Sequence, residues 1–213
     1  MKEPSFQKKK GFPPHRKVRW ESPLFFKAAQ KNNVGDTILS QRISLRTELR
    51  TEELLLMIKW MSNEHVYRYL NEHQQITTQL KQVYDARLPV FTPLFNRNGR
   101  FFMICTGADQ AIDFLRLAYC PDNTVELVIA IGEERMWGQG YGCVSLSEAL
   151  KIAFLEMRRD RVIAHIYHEN RRSRHLFVSR GLAPCTQGTH STKYQLTFDA
   201  YLHPEVSERD EIA

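Results

Sequence analysis

Three glycines at alternate positions, Gly138, Gly140 and Gly142, lie in the run Trp137-Gly138-Gln139-Gly140-Tyr141-Gly142, between an apolar strand candidate and a helix candidate. That order suits an anion. Glycine lets the backbone come close to a ligand, and the unpaired N–H groups of the following helix converge on it with the positive end of the helix dipole behind them. The turn is therefore expected to hold a phosphorylated ligand, with a ligand-free structural turn as the alternative.

Spacing narrows the choice of ligand. A Walker A loop needs G-x-x-x-x-G-K-[ST], and no Lys follows Gly142, so that reading fails. A dinucleotide fingerprint needs G-x-G-x-x-G, whereas these glycines are spaced G-x-G-x-G, late in the chain and behind three strand candidates. A Rossmann site is a poor fit.

The segment resembles the GNAT superfamily of acetyl-CoA-dependent N-acetyltransferases, whose pyrophosphate loop reads R/Q-x-x-G-x-G/A between a strand and a helix. Trp137 departs from that consensus, but Trp-Gly-x-Gly-Tyr-Gly is similar to the subgroup holding the ribosomal-protein N-terminal acetyltransferases and several aminoglycoside 6′-acetyltransferases. The second half of the match is Asn170-Arg171-Arg172-Ser173, then Phe177, then Arg180-Gly181-Leu182, which resembles the family's N-x-x-S/A-x-x-x-Y/V-x-x-x-G-F ending. Leu182 stands where Phe is usual. Glu53 to Leu70, with Lys59-Trp60-Met61-Ser62-Asn63, resembles the subgroup's first helix, so the likeness covers roughly residues 40 to 200.

The resemblance implies roles. Backbone N–H groups of Gln139, Gly140, Tyr141, Gly142 and Cys143, in the turn formed with Trp137 and Gly138, would hold the pyrophosphate of acetyl-CoA. The side chains of Tyr141 and Cys143 suit packing equally. Free backbone groups of Ile129, Ala130 and Ile131 would pair with the pantetheine arm, while their side chains read as core. Asn170 would bond near the pantetheine end or cap a helix, or do both. Ser173 matches the hydroxyl that protonates the departing CoA sulfur, against the reading of a simple capping serine. Many relatives use a tyrosine four positions later, and Phe177 cannot donate a proton. Glu126 is the candidate base, direct or through a water, against the reading of a solvated or salt-bridged strand residue. The acceptor implied is a primary amine, first a protein or peptide N-terminus, with an aminoglycoside or polyamine as alternative. A non-catalytic acyl-CoA-binding module is the competing class. Glu64, Glu72, Asp85, Asp122, Glu133 and Glu134 are the acids that would serve a polycationic acceptor if they converged.

The elements that must position these residues are legible as hydrophobic periodicity. Ile43 to Arg46 alternates like a half-buried strand, and the folded part is placed from about Ile38. A helix follows Thr51, with Leu54, Leu55, Ile58, Met61, and then Val66 and Tyr69, at helical spacing. Residues 76 to 88 form a second helical candidate that Pro89 and Pro93 break. Phe101 to Thr106, Ala111 to Tyr119 and Thr124 to Ile131 predict an antiparallel meander across Gly107-Ala108-Asp109 and Pro121-Asp122-Asn123. A helix over 140 to 157, a strand over Arg161 to Tyr167, a helix from Arg171 to Arg180 and a strand around Tyr194 to Phe198 complete the expectation. The fold class is α/β: a mixed central sheet with an antiparallel N-terminal meander, flanked by helices.

Composition bounds the rest. A chain of 213 residues with 42% hydrophobic content can bury one ordinary core. Of the net charge of +6, residues 1 to 31 carry +7, from nine Lys/Arg against Glu3 and Glu21, so the remainder sums to −1. Residues 1 to 37 read as a basic, flexible, solvated arm whose charge also fits a weak contact with RNA or a ribosome, and residues 38 to 213 as the domain. No apolar h-region marks a secretory signal and no apolar run suits a bilayer span, so no membrane contact is expected. Cys105, Cys120, Cys143 and Cys185 are scattered, which argues against a zinc ribbon or disulfide scaffold and for a reduced cytoplasm. His165 and His168, three apart on a strand, face opposite ways and do not share a metal easily.

Overall fold

The meander places its apolar residues on both faces, which requires helices on both sides of one sheet. In a computed structural model, residues 43–70, 73–88 and 91–204 are described. The expected start near Ile38 and the basic arm lie outside them. The elements are β1 (Ile43–Arg46), α1 (Thr51–Met61), α2 (Glu64–Tyr67), α3 (His73–Asp85), α4 (Thr92–Phe95), β2 (Gly99–Thr106), β3 (Ala111–Cys120), β4 (Thr124–Ile131), α5 (Tyr141–Lys151), β5 (Arg161–Tyr167), α6 (Arg171–Val178), β6 (Ala183–Gln187), β7 (Ser191–Thr197) and α7 (Phe198–Leu202). A 3-10 turn covers Glu134–Met136, and α5 runs on into a π-helical turn over Ile152–Glu156.

The strands form one seven-stranded sheet in the order β1-β2-β3-β4-β5-β7-β6. Every adjacent pair is antiparallel except β4 and β5, which are parallel. The mixed sheet and its antiparallel meander are thus as the sequence leads one to expect. Alternation along β4 sends Val125, Leu127 and Ile129 to one core, shared with α5 and α6, and Ala130 to the other, shared with α1 and α3. Trp60, Leu54, Met57 and Met61 of α1 are each at most 2% exposed, and burying one such side chain is worth about 1.5–3 kcal/mol. Arg46 pairs with Glu53, and Arg50 with Asp109 at 2.6 Å, which joins β1, the head of α1 and the β2–β3 turn.

Several boundaries differ from the expectation. The first helix stops at Met61, where Ser62 and then Asn63 intervene; the Asn63 side chain accepts from the His65 N–H and starts α2, which carries Val66. Leu55 lies 48% exposed on the outer side of α1 rather than in its stripe. The next helix ends at Asp85, ahead of Pro89, because Arg87 turns to φ 45°. Pro93 falls in the first turn of α4, a position that needs no N–H, and so begins a helix rather than ending one. The strand β6 was not expected: its five residues are all exposed and include Pro184, and alternation is lost on an edge strand. No helix of the described residues is long and apolar enough to cross a membrane.

Candidate active site

The parallel pairing of β4 with β5 is short. It joins Thr124, Val125 and Glu126 to Arg161, Val162 and Ile163, and no further. Beyond it β4 continues to Ile131 paired with β3, and β5 continues to Tyr167 paired with β7. The two strands therefore part inside the sheet, and the stretch from Leu127 to Ile131, which includes Ile129, Ala130 and Ile131, keeps one edge without a strand partner. Main-chain donors and acceptors on such an edge can take an extended amide-bearing ligand as an added strand.

The end of β4 is fixed from the α1 side. A Cβ on Gly132 would lie 2.3 Å from the Trp60 ring, so the indole packs directly on that backbone. Trp60 Nε1 donates to Glu133 Oε1 at 3.2 Å, and Asn63 Nδ2 donates to Glu134 Oε1 at 2.7 Å.

The glycine turn closes the open end of the gap. Gly138 and Gly140 have φ of 77° and 87°, a left-handed backbone that favours glycine, and nothing lies within 4 Å of a Cβ built on either. The helix begins at Tyr141 with Gly140 as its N-cap, so the N–H groups of Tyr141, Gly142 and Cys143 have no carbonyl one turn back within it. The Tyr141 side chain is 8% exposed and packs in the core. Gly142 serves packing too: its Cβ position is 3.4 Å from Leu176 of α6. The Cys143 carbonyl accepts from Arg180 Nε at 3.4 Å, and Gln139 turns its side chain back onto the Arg135 carbonyl at 2.5 Å.

Trp137 ties the turn to the strand. Its indole N–H donates to the Ile131 carbonyl at 2.6 Å, and the Arg172 guanidinium lies over its ring at 4.3 Å from the centroid. A cation is thereby held beside the open backbone of the turn. Arg172 was named in the sequence only as part of a motif, because its partner is 35 positions away.

Asn170 is the N-cap of α6, its Oδ1 accepting from the Ser173 N–H at 3.1 Å. Ser173 sits one turn in and half-buried, so its hydroxyl is not the capping group. Phe177, four residues later, is 3% exposed in the core.

Glu126 projects to the α1 side of the sheet, where the strands begin to part, and its Oε1 lies 2.9 Å from His165 Nδ1. The reading of Glu126 as a fully solvated residue is therefore excluded. The ring and the carboxylate are 39% and 28% exposed. Sequence inspection considered His165 only as a metal ligand; its partner follows from the register of a parallel pair, which spacing does not reveal. Tyr167 shares the His165 face and packs on Tyr69 with ring centroids 6.1 Å apart, so the segment after α2 overhangs this side of β5.

Of the acids suggested for a polycationic acceptor, Glu133, Glu134 and Glu64 lie at the corner between the end of β4 and the start of α2, and the others lie apart. Glu133 and Glu134 are engaged by Trp60 and Asn63, Asp122 lies in the turn before β4, at the opposite end of that strand, Glu64 and Asp85 are exposed on α2 and α3, and Glu72 is outside the described residues. The sheet face around Glu126 bears Arg116, Arg161 and Lys193 by register and alternation.

The family model for an acetyltransferase (GNAT) domain matches residues 42–182. No curated protein sequence matches the chain. Among solved structures, spermidine N-acetyltransferase from Vibrio cholerae in complex with CoA and spermine superposes with a TM-score of 0.63 at 18% identity, covering 78% of this chain and 100% of that one. A domain from Methanocaldococcus jannaschii gives 0.59 at 20% identity, covering 74% and 99% of the two chains. A GNAT-family acetyltransferase from Bacillus anthracis gives 0.57 at 17% identity, covering 76% and 98%. These likenesses establish the fold.

Proposed function

The chain belongs to the GNAT acetyltransferase family, as an N-acetyltransferase with acetyl-CoA as cosubstrate, and on that premise we propose that its acceptor is the primary amine of a protein or peptide N-terminus. Pantetheine enters the parting of β4 and β5 along Ile129, Ala130 and Ile131, and the pyrophosphate rests on the N–H groups from Gln139 to Cys143. Asn170 orders the start of α6 beside the pantetheine end. The acceptor approaches from the α1 side, over Glu126.

The reaction joins the amine nitrogen to the acetyl carbon and breaks the C–S bond. An α-amine titrates near ~8, so it reaches the neutral form more readily than a lysine-like amine near ~10.4. Ser173 gives its hydroxyl proton to the departing thiolate and recovers one from solvent. Ser173→Ala is then expected to lower kcat by about 100-fold, the low end for a general acid, with little change in acetyl-CoA binding. Unchanged turnover would remove Ser173 from the mechanism and leave the acceptor reading intact.

The observation that carries the acceptor reading is the charge of the acceptor face. On the strands beside the parting it bears one carboxylate, Glu126, against Arg116 and Lys193, which suits an acceptor with a single ammonium over that part of the sheet. The second reading, a polyamine acceptor, is supported by the fold likeness to a spermidine N-acetyltransferase. Comparing kcat/KM for free-N-terminus peptides, spermidine and an aminoglycoside decides between them: peptides at least tenfold ahead support the first reading, and spermidine ahead overturns it. The weak RNA or ribosome contact of the basic arm stays a proposal, tested by whether removing residues 1 to 31 changes salt-dependent RNA binding.

A further inference from the structure

Glu126 and His165 come from two strands that separate just past their contact. The carboxylate touches Nδ1 at 2.9 Å, which fixes the neutral ring as the tautomer with N–H at Nδ1 and leaves Nε2 as its acceptor nitrogen. The ring is 39% exposed, on the face where Tyr167 and Tyr69 form the rim. A carboxylate that only balanced surface charge would not need an imidazole beside the parting of β4 and β5.

We propose that His165 is the group that takes the proton from the attacking amine, and that Glu126 is a positioning residue acting through it. This inference rests on the acetyl-transfer reading. As the amine nitrogen bonds to the thioester carbon, its proton passes to Nε2 of His165. The Nδ1–H stays bonded to the ring and donates to Glu126, whose negative charge stabilises the imidazolium that forms. The C–S bond then breaks and the sulfur takes a proton from the Ser173 side of the gap, while His165 returns its proton to solvent. The product is one amide, one thiol and a restored ring.

The charged and titratable groups around His165 are Glu126 from β4, Arg116 from β3, Arg161 and Tyr167 from its own strand, and Lys193, its register partner on β7. Arg68 and Tyr69 reach the rim through Tyr167, with the Arg68 guanidinium 4.9 Å from the Tyr69 ring centroid. Among these, imidazole is the side chain with one ring nitrogen that donates and another that accepts.

The test is the pH profile of kcat/KM on the full chain with its best peptide acceptor, for the wild type, His165→Gln and Glu126→Gln. Glutamine at 165 can still donate to Glu126 and hold the strands but cannot accept a proton near neutrality. The wild type is expected to show a limb in the neutral range and a second, higher limb from the acceptor's own amine. His165→Gln removes the first limb and lowers kcat by about 100-fold with acetyl-CoA affinity unchanged; Glu126→Gln lowers kcat and keeps the limb. A His165→Gln enzyme that keeps the neutral limb, or one that loses only acetyl-CoA affinity or thermal stability, overturns the assignment. Failure of the wild type to transfer acetyl to any amine would instead overturn the acetyl-transfer reading, and this inference with it.

Discussion

The indole N–H of Trp137 donates to the carbonyl of Ile131 at 2.6 Å, so the last residue of the free strand edge and the first residue of the glycine turn are one mechanical unit. The strand edge and the turn are proposed to bind adjoining parts of the same cofactor, its pantetheine arm and its pyrophosphate, and a fixed distance between them spares the cost of ordering two loops on binding.

Trp137→Phe keeps a ring under Arg172 and removes the donor. The Ile131 carbonyl then loses its partner, at a cost of about 1 kcal/mol in stability. Acetyl-CoA affinity is expected to fall roughly 3- to 10-fold, and calorimetric titration of the variant checks it; unchanged affinity would mean that the turn holds its place without the strand.

Gly140 has φ 87° and open space beside it. Alanine there meets no atom, so its cost is conformational, about 1–2 kcal/mol for a left-handed non-glycine residue. The same open space is where the pyrophosphate is proposed to sit. Gly140→Ala should therefore lower Tm modestly and weaken acetyl-CoA binding by at least tenfold, and a variant that loses only stability would place the anion elsewhere.

Much of the site was legible because it rests on local pattern. The Thr124–Ile131 and Arg161–Tyr167 strands have the bounds that their apolar runs suggest, and the glycine turn lies between the right elements. What was not legible depends on register or on exposure. Glu126 and His165 meet because two parallel strands pair at 124–126 and 161–163, and no sequence spacing encodes that alignment. The strand at 183–187 has no buried side, so it leaves no periodic trace.

Gly132→Ala tests the fixing of β4 by α1. The added Cβ would lie 2.3 Å from the Trp60 ring, which is itself 2% exposed and has little room to yield. Overpacking of this kind costs about 1–3 kcal/mol, read as a lower urea midpoint. If the substitution proves neutral, Trp60 does not bear on the strand end.

Asp113 is fully buried, and neither of its carboxylate oxygens makes a hydrogen bond of normal geometry. Burial pushes its carboxyl well above the usual carboxylate range, with the Phe114 and Gly132 backbone offsetting part of that rise. A folded-state value above the unfolded one means that its stabilising share is complete below about pH 4 and is lost as pH rises through the folded value. Asp113→Asn should flatten that fall, so the variant is at least as stable as the wild type at neutral pH in urea titrations run across pH. An equal loss at every pH would show that the carboxyl is needed for packing.

The most direct measurement is acetyl transfer itself, followed by mass spectrometry of a free-N-terminus peptide incubated with the full chain and acetyl-CoA, with CoA release recorded in parallel. The expected result is one acetyl group on the peptide's α-amine and an equal amount of CoA. Acetyl-CoA bound but transferred to no amine, or not bound at all, would contradict the account.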